Sequence, residues 1–173
     1  MATSTFSGPV RSENTFKTVS KDATTGTITE LTTLGDAPVT LADGDVTITN
    51  ATHSGRLLAV PDGGQDNTYT LPSPVAGAVF RFIYSGGAAD ATDFIIDTGS
   101  DTNYFIGGVT HLDSDAGSGG DEVVPVYSDG NSNSKFQANV PGGCDVMVFA
   151  KDSTNWYISG WVTSATAPTF ADQ

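Results

Sequence analysis

Residues 68–84 read Thr-Tyr-Thr-Leu-Pro-Ser-Pro-Val-Ala-Gly-Ala-Val-Phe-Arg-Phe-Ile-Tyr, and this stretch decides the fold. A short strand over residues 69–71 runs into Pro72 and Pro74. Proline has no N–H for a sheet ladder and fixes its own φ, so the strand stops there. Gly77 supplies the freedom to turn. The next six residues, Val79–Tyr84, are the most strand-like run in the chain. Side chains alternate faces along a strand, so Phe80, Phe82 and Tyr84 share one face, with Val79, Arg81 and Ile83 on the other. Three aromatic rings on one face predict a core layer. Apolar residues on both faces predict a central strand with a neighbour on each side.

Working outward, the chain is a series of short β-prone runs between Gly, Asp and Pro clusters. Before the central pair lie a threonine-rich run at 27–34, an alternating run at 46–49 and an apolar run at 56–60. After it come Phe94–Asp97, 104–106, Val123–Tyr127, 135–140, 146–149 and 156–162. The last of these puts Trp156, Ile158 and Val162 on one face and Tyr157 and Trp161 on the other. No window of a dozen residues carries an i, i+3, i+4, i+7 apolar stripe, and the glycine and threonine content opposes helix. No strict internal repeat is visible. Strands at intervals of roughly 8–12 residues predict an all-β domain, a single antiparallel β-sandwich or jelly-roll-like body. The expected boundaries are an extended N-terminal arm at 1–22, the body at 23–165 and a polar C-terminal tail at 166–173 anchored only by Phe170.

One domain suits 173 residues, and a chain of this length buries about 70% of its unfolded surface without a disulfide or metal. The one cysteine, Cys144, precedes an apolar strand and reads as a small buried hydrophobe. Twenty acidic against seven basic side chains give a net charge of −13, which repels nucleic-acid backbones. No run approaches the roughly 18 apolar residues of a membrane helix, and no apolar N-terminal run reads as a secretory signal. The expected setting is therefore a cytosol, with neither nucleic acid nor membrane as partner. Charge is uneven along the chain. Residues 1–21 hold Arg11, Lys17 and Lys21 against Glu13 alone, while the rest holds four basic and nineteen acidic side chains. Four spaced apolar residues, Phe6, Val10, Phe16 and Val19, are too few for the arm to fold alone. An arm of this kind docks on an acidic surface through Phe6, Val10, Arg11, Phe16, Lys17 and Lys21.

Three motifs bear on chemistry. Phe94-Ile95-Ile96-Asp97-Thr98-Gly99-Ser100 resembles the active-site signature of aspartic proteases, whose chemistry needs two carboxylates sharing a proton. It occurs once, so a protease would be a homodimer with one Asp97 from each chain. The later glycine segment and helix of such a protomer are missing, and a strand ending in an Asp-Thr-Gly turn accounts for the motif. Asp113, Asp115 and Asp121 present alternate carboxylates near glycines, a weak Ca²⁺ pattern, but the twelfth position from Asp113 is Val124 where an EF-hand needs Glu. A solvated acidic loop is favoured, and no cofactor is expected. Trp156, Tyr157 and Trp161 offer a sugar-stacking platform, although aromatics on a closing strand are more often core. His53 and His111 have no ligand-spaced partners.

The opening Met-Ala-Thr-Ser-Thr-Phe-Ser-Gly-Pro-Val-Arg-Ser, the closing Asn155-Trp-Tyr-Ile-Ser-Gly-Trp-Val162 with Ala167-Pro-Thr-Phe170, and the Leu-Pro, Ala-Gly, Phe-Ile centre together resemble small β-rich structural proteins of marine tailed bacteriophages. Among these the chain is similar to head decoration, or cement, proteins. The resemblance implies a non-enzymatic virion role on the capsid surface, with the major capsid protein as partner; the closed symmetry usual for homo-oligomers and the three-fold axes of a shell favour a trimer, made in the host cytoplasm. It brings no functional residues with it. A tail or fibre component, a carbohydrate-binding module and a homodimeric protease using Asp97 are the alternatives.

Overall fold

The structure, a computed structural model, describes residues 16–34, 37–87, 89–115 and 122–173. It is nearly all β. The strands are β1 (Phe16–Lys21), β2 (Ile28–Leu34), β3 (Val39–Thr40), β4 (Val46–Thr47), β5 (Leu57–Val60), β6 (Asn67–Thr70), β7 (Val79–Tyr84), β8 (Phe94–Asp97), β9 (Tyr104–Asp113), β10 (Val123–Tyr127), β11 (Lys135–Ala138), β12 (Gly143–Ala150), β13 (Asn155–Ser164) and β14 (Thr169–Ala171). One helical turn, α1 (Asn50–His53), separates β4 from β5. Thr49 caps it, its hydroxyl accepting from the backbone N–H of Thr52.

Three sheets result. One has seven strands in the order β10-β9-β13-β12-β7-β5-β3, one has five in the order β14-β11-β8-β6-β4, and β1 pairs with β2 alone. The expected central strand is β7, hydrogen-bonded to β12 on one side and β5 on the other. Its burial alternates as the sequence predicts: Phe80, Phe82 and Tyr84 are buried and Arg81 is exposed.

The expected antiparallel body is a mixed one. From β3 to β8 the chain alternates sheets, β3, β5 and β7 entering the seven-stranded sheet and β4, β6 and β8 the five-stranded one. Each crossing reverses the chain, so two crossings restore its direction. The neighbours β3–β5, β5–β7, β4–β6 and β6–β8 are accordingly parallel. Three coils are wound without a sequence repeat to announce them. After β8 most pairings are antiparallel, and β9 against β13 is the parallel exception.

Inward side chains of the two large sheets meet. Tyr69 of β6 stacks across the sheets on Phe82 of β7 with centroids 6.1 Å apart, and within the seven-stranded sheet Phe80 packs on Trp156 of β13 at 5.7 Å. The C-terminal segment, expected as a polar tail, closes the five-stranded sheet as β14, paired with β11. Phe170 anchors it, its ring 5.2 Å from Phe136 and 6.3 Å from Phe105. The arm expected at 1–22 is also revised where it can be seen. Residues 16–21 form β1 of a hairpin, because Asp22 caps the intervening turn. Its carboxylate accepts from the N–H groups of Thr24 and Thr25, and Gly26 takes the left-handed conformation at φ +74°. Residues 1–15 lie outside the described residues.

Candidate functional site

Asp97 ends β8, where the strand leaves the sheet. Its Oδ1 accepts from the Gly99 N–H at 2.6 Å and from the Gln173 side-chain amide, and Lys135 Nζ lies 3.9 Å from Oδ2. Thr98 is buried, and its hydroxyl lies 3.0 Å from both the Ser100 and the Asn103 carbonyl oxygens. Ser100 and Thr102 hydroxyls bond to each other. The Asp97, Thr98 and Ser100 side chains thus close their own turn, and Lys135 and Gln173 tie it to β11 and the C-terminus. Beside it is a shallow polar cleft of about 260 Å³, lined by Asp101, Tyr104, Ser132, Ser134, Asp172 and Gln173. The geometry supports an Asx-type turn, and among the described residues no second carboxylate is hydrogen-bonded to Asp97.

Of the calcium candidates, Asp113 closes β9 and its Oδ1 accepts from the Asp115 N–H at 2.9 Å. Its own N–H bonds to the Glu122 carbonyl, and Asp121 lies outside the described residues. Among the described residues no group of three or more His, Cys, Asp or Glu side chains is placed to hold a metal.

The aromatic platform divides between faces as the alternation requires. Trp156 is fully buried, so no sugar ring reaches it. Tyr157 and Trp161 point outward. Tyr157 stacks on Phe149 at 4.9 Å with Lys151 Nζ 5.9 Å from its ring centroid, and Trp161 is 40% exposed. Gly160 between them has φ +145°. A Cβ there would lie 2.0 Å from the Asp145 carbonyl oxygen, so only glycine lets β12 and β13 approach this closely.

Cys144 is buried, and burial pushes its thiol up to about 12. It is an inert core group, as its sequence setting predicts. The histidines are structural. His53 caps α1, Nδ1 accepting from the Thr49 N–H at 2.9 Å, and burial lowers its pKa. His111 Nε2 donates to the Ser164 carbonyl at 2.9 Å, tying β9 to the end of β13.

Of the six arm residues, Phe6, Val10 and Arg11 lie outside the described residues. Phe16 opens β1. Lys17 and Lys21 are exposed on the hairpin, with Lys17 Nζ 2.9 Å from Glu30 of β2. The hairpin also exposes Val19 and Ile28, at 53% and 61%. The structure therefore brings Lys17, Val19, Lys21 and Ile28 together on one exposed element.

Sequence reasoning missed two surface features. Ile28 joins Lys17, Val19 and Lys21 on one element only because the turn at Asp22–Gly26 folds β2 back on β1, a signal present in the Asp and Gly flanking two β-prone runs. Arg81 pairs with Asp145, its Nε 2.9 Å from Oδ1 and its Nη2 2.5 Å from Oδ2. Sixty-four residues separate the two, and no local pattern announces the pair. No protein-family model, curated protein or solved structure matches this chain.

Proposed function

We propose that the chain is a non-enzymatic virion structural protein, a decoration (cement) protein that binds the outer surface of a tailed-phage capsid and stabilises it. Its body is a single β-sandwich of mixed strands, and its N-terminal segment is the capsid-binding element. The observation that carries this reading is the hairpin. A basic segment with spaced apolar residues runs directly into a two-stranded unit that exposes Val19 and Ile28 on an otherwise strongly acidic chain. The hairpin rests on the body through β2 against α1, and its outward apolar side chains, Val19 and Ile28, stay open for a partner to cover. The family resemblance supplies the shell, and the major capsid protein is the partner.

Attachment rests on apolar contacts more than on charge. Exposed ion pairs contribute about 0–1 kcal/mol each, and Lys17 already pairs with Glu30 of its own hairpin. Many copies on one shell add avidity, so each contact stays modest.

Sedimentation with purified shells tests the reading. The full chain co-sediments, a chain lacking residues 1–21 does not, and Phe16→Ala weakens attachment more than Lys17→Ala. Equal decoration by the truncated chain would remove the N-terminal element from the binding surface. Absence of the full chain from the pellet at every concentration would sink the decoration role itself.

A further inference from the structure

We infer that the outer face of the seven-stranded sheet is a two-fold interface between two copies of this chain. On the four strands β13-β12-β7-β5 the outward positions follow from the pairing registers. One cross-sheet row runs Trp161, Asp145, Ile83, Ala59, the next Ser159, Met147, Arg81, Leu57, and a third Tyr157, Phe149, Val79. None of their inward neighbours is exposed, so these side chains form a layer of their own on the far side of the sheet.

That layer is unlike the rest of the protein. The chain holds twenty acidic side chains, yet the only charged residues at outward positions of these four strands are Arg81 and Asp145, and they neutralise each other. Around the pair stand Trp161, Met147, Tyr157, Phe149, Ile83 and Leu57, with Trp161 and Met147 each about two-fifths exposed. Depletion of charge with enrichment of Trp, Tyr, Phe and Met is the composition of an interface centre. A face solvated for good on an acidic protein has no physical reason to exclude carboxylates.

The occupant is a second copy because the face is self-complementary. A two-fold axis lying in the interface and crossing the Arg81–Asp145 pair sets each guanidinium over the partner's carboxylate and each carboxylate over the partner's guanidinium. Four alternating charges result, with no net charge buried. A strongly basic partner would find a single carboxylate here, already paired. At the rim stand two cations, Arg56 beside Leu57 and Lys151 over the Tyr157 ring, whose positive charge suits a second acidic body. The eleven outward positions, each about 4.8 Å by 6.7 Å, cover roughly 350 Å² per copy, or about 700 Å² for the pair, the size of a weak, reversible contact. Two-fold pairing replaces the three-fold arrangement that shell symmetry suggests, since an isologous contact matches one patch to itself.

The test is the solution mass of the full-length protein by sedimentation equilibrium, from about 1 to 100 µM. The wild type shifts to twice 17.8 kDa. Met147→Glu places a charge at the centre of the face and weakens the dimer by about 100-fold or more. Because Met147 is already partly exposed in the single chain, this variant folds, which circular dichroism verifies. Arg81→Asp also dissociates the dimer, and adding Asp145→Arg restores it by exchanging the pair. Val19→Glu on the hairpin leaves the mass unchanged. A wild type that stays monomeric throughout, a trimer, or a dimer indifferent to Met147→Glu would each overturn the inference. So would a monomer that dimerises only after residues 1–15 are deleted, because the chain's own N-terminus would then be the cover. The inference stands apart from the virion reading: a dimer that ignores shells defeats only that reading, and a monomer that decorates them defeats only this one.

Discussion

Phe82→Ala probes the layer on which the rest of the fold is assembled. Phe82 is fully buried at the centre of β7, between Val146 of β12 and Leu58 of β5 in register, and its ring stacks on Tyr69 from the opposite sheet. The transfer free energy lost with the ring is about 2–3 kcal/mol. Removing a six-carbon ring leaves a void on the order of 80–100 Å³, and at about 24 cal/mol per Å³ this adds roughly 2 kcal/mol. The walls are strands held by ladders on both sides, so collapse is limited and most of the cavity term survives. The expected loss is about 4 kcal/mol, or a drop in Tm of roughly 8–16 °C for a chain of this length. Phe82→Leu keeps most of the volume and costs about 1.5 kcal/mol or less. Equilibrium unfolding in urea measures both, with Trp156, packed on Phe80 in the same core, as the fluorescence reporter. A loss below 1 kcal/mol for Phe82→Ala would refute the central placement of β7.

Gly160→Ala is expected to cost more than the roughly 1 kcal/mol of an ordinary glycine replacement, because the new Cβ meets the Asp145 carbonyl at 2.0 Å and φ is +145°; thermal unfolding checks it. Incubating the pure protein with denatured polypeptides between pH 3 and 6 is expected to yield no pepstatin-sensitive cleavage, and cleavage abolished by Asp97→Asn would overturn the structural assignment of that residue. Burial pushes the Cys144 thiol and the Tyr69 and Tyr84 hydroxyls up to about 12, from ordinary values of 9.0 and 10.0. The folded state favours their neutral forms, so their contribution is complete below pH 9 and is lost as pH rises from 9 through about 12. Urea midpoints across that range should fall steadily, and Cys144 should react with thiol reagents at pH 8 only as fast as the fold opens.

The β class and the inward set were legible because each strand reports its own faces. The alternation at 79–84 put Phe80, Phe82 and Tyr84 together on one core face, and the last strand put Trp156 and Trp161 on opposite faces, while which of the two tryptophans is buried follows only from the sheet packing. Strand direction was not legible. Parallel and antiparallel neighbours place the same side chains inward, so the alternation at 46–49 or 79–84 reads alike in either. What sets direction is the crossing of the chain between sheets, and the loops from β3 to β8 carry Gly, Pro and Asp whether they turn back beside a strand or cross over. The tail went unread for a related reason. Thr169–Ala171 is only three residues long, and the contact that makes it a strand is the burial of one ring, Phe170, between two others.

The candidate sites divide along the same line. Motifs such as Asp97-Thr98-Gly99 are local, and their local explanation, a carboxylate capping its own turn, is the one the hydrogen bonds follow. Surfaces are not local. Met147, Arg81 and Leu57 become neighbours only through the registers that lay β12, β7 and β5 side by side, and Asp145 finds Arg81 across sixty-four residues. A sequence read strand by strand identifies which residues point outward but not which of them share a patch. In a protein whose polar motifs serve its own turns, binding depends on what the registers assemble on the outside of the sheets. The hairpin and the outer face of β13-β12-β7-β5 are two such assemblies. They differ in kind: the hairpin mixes lysines with exposed aliphatic side chains and suits an acidic partner, while the sheet face is neutral and matches itself. If both proposed contacts hold, they do not compete, because a basic hairpin and a neutral sheet face select different partners.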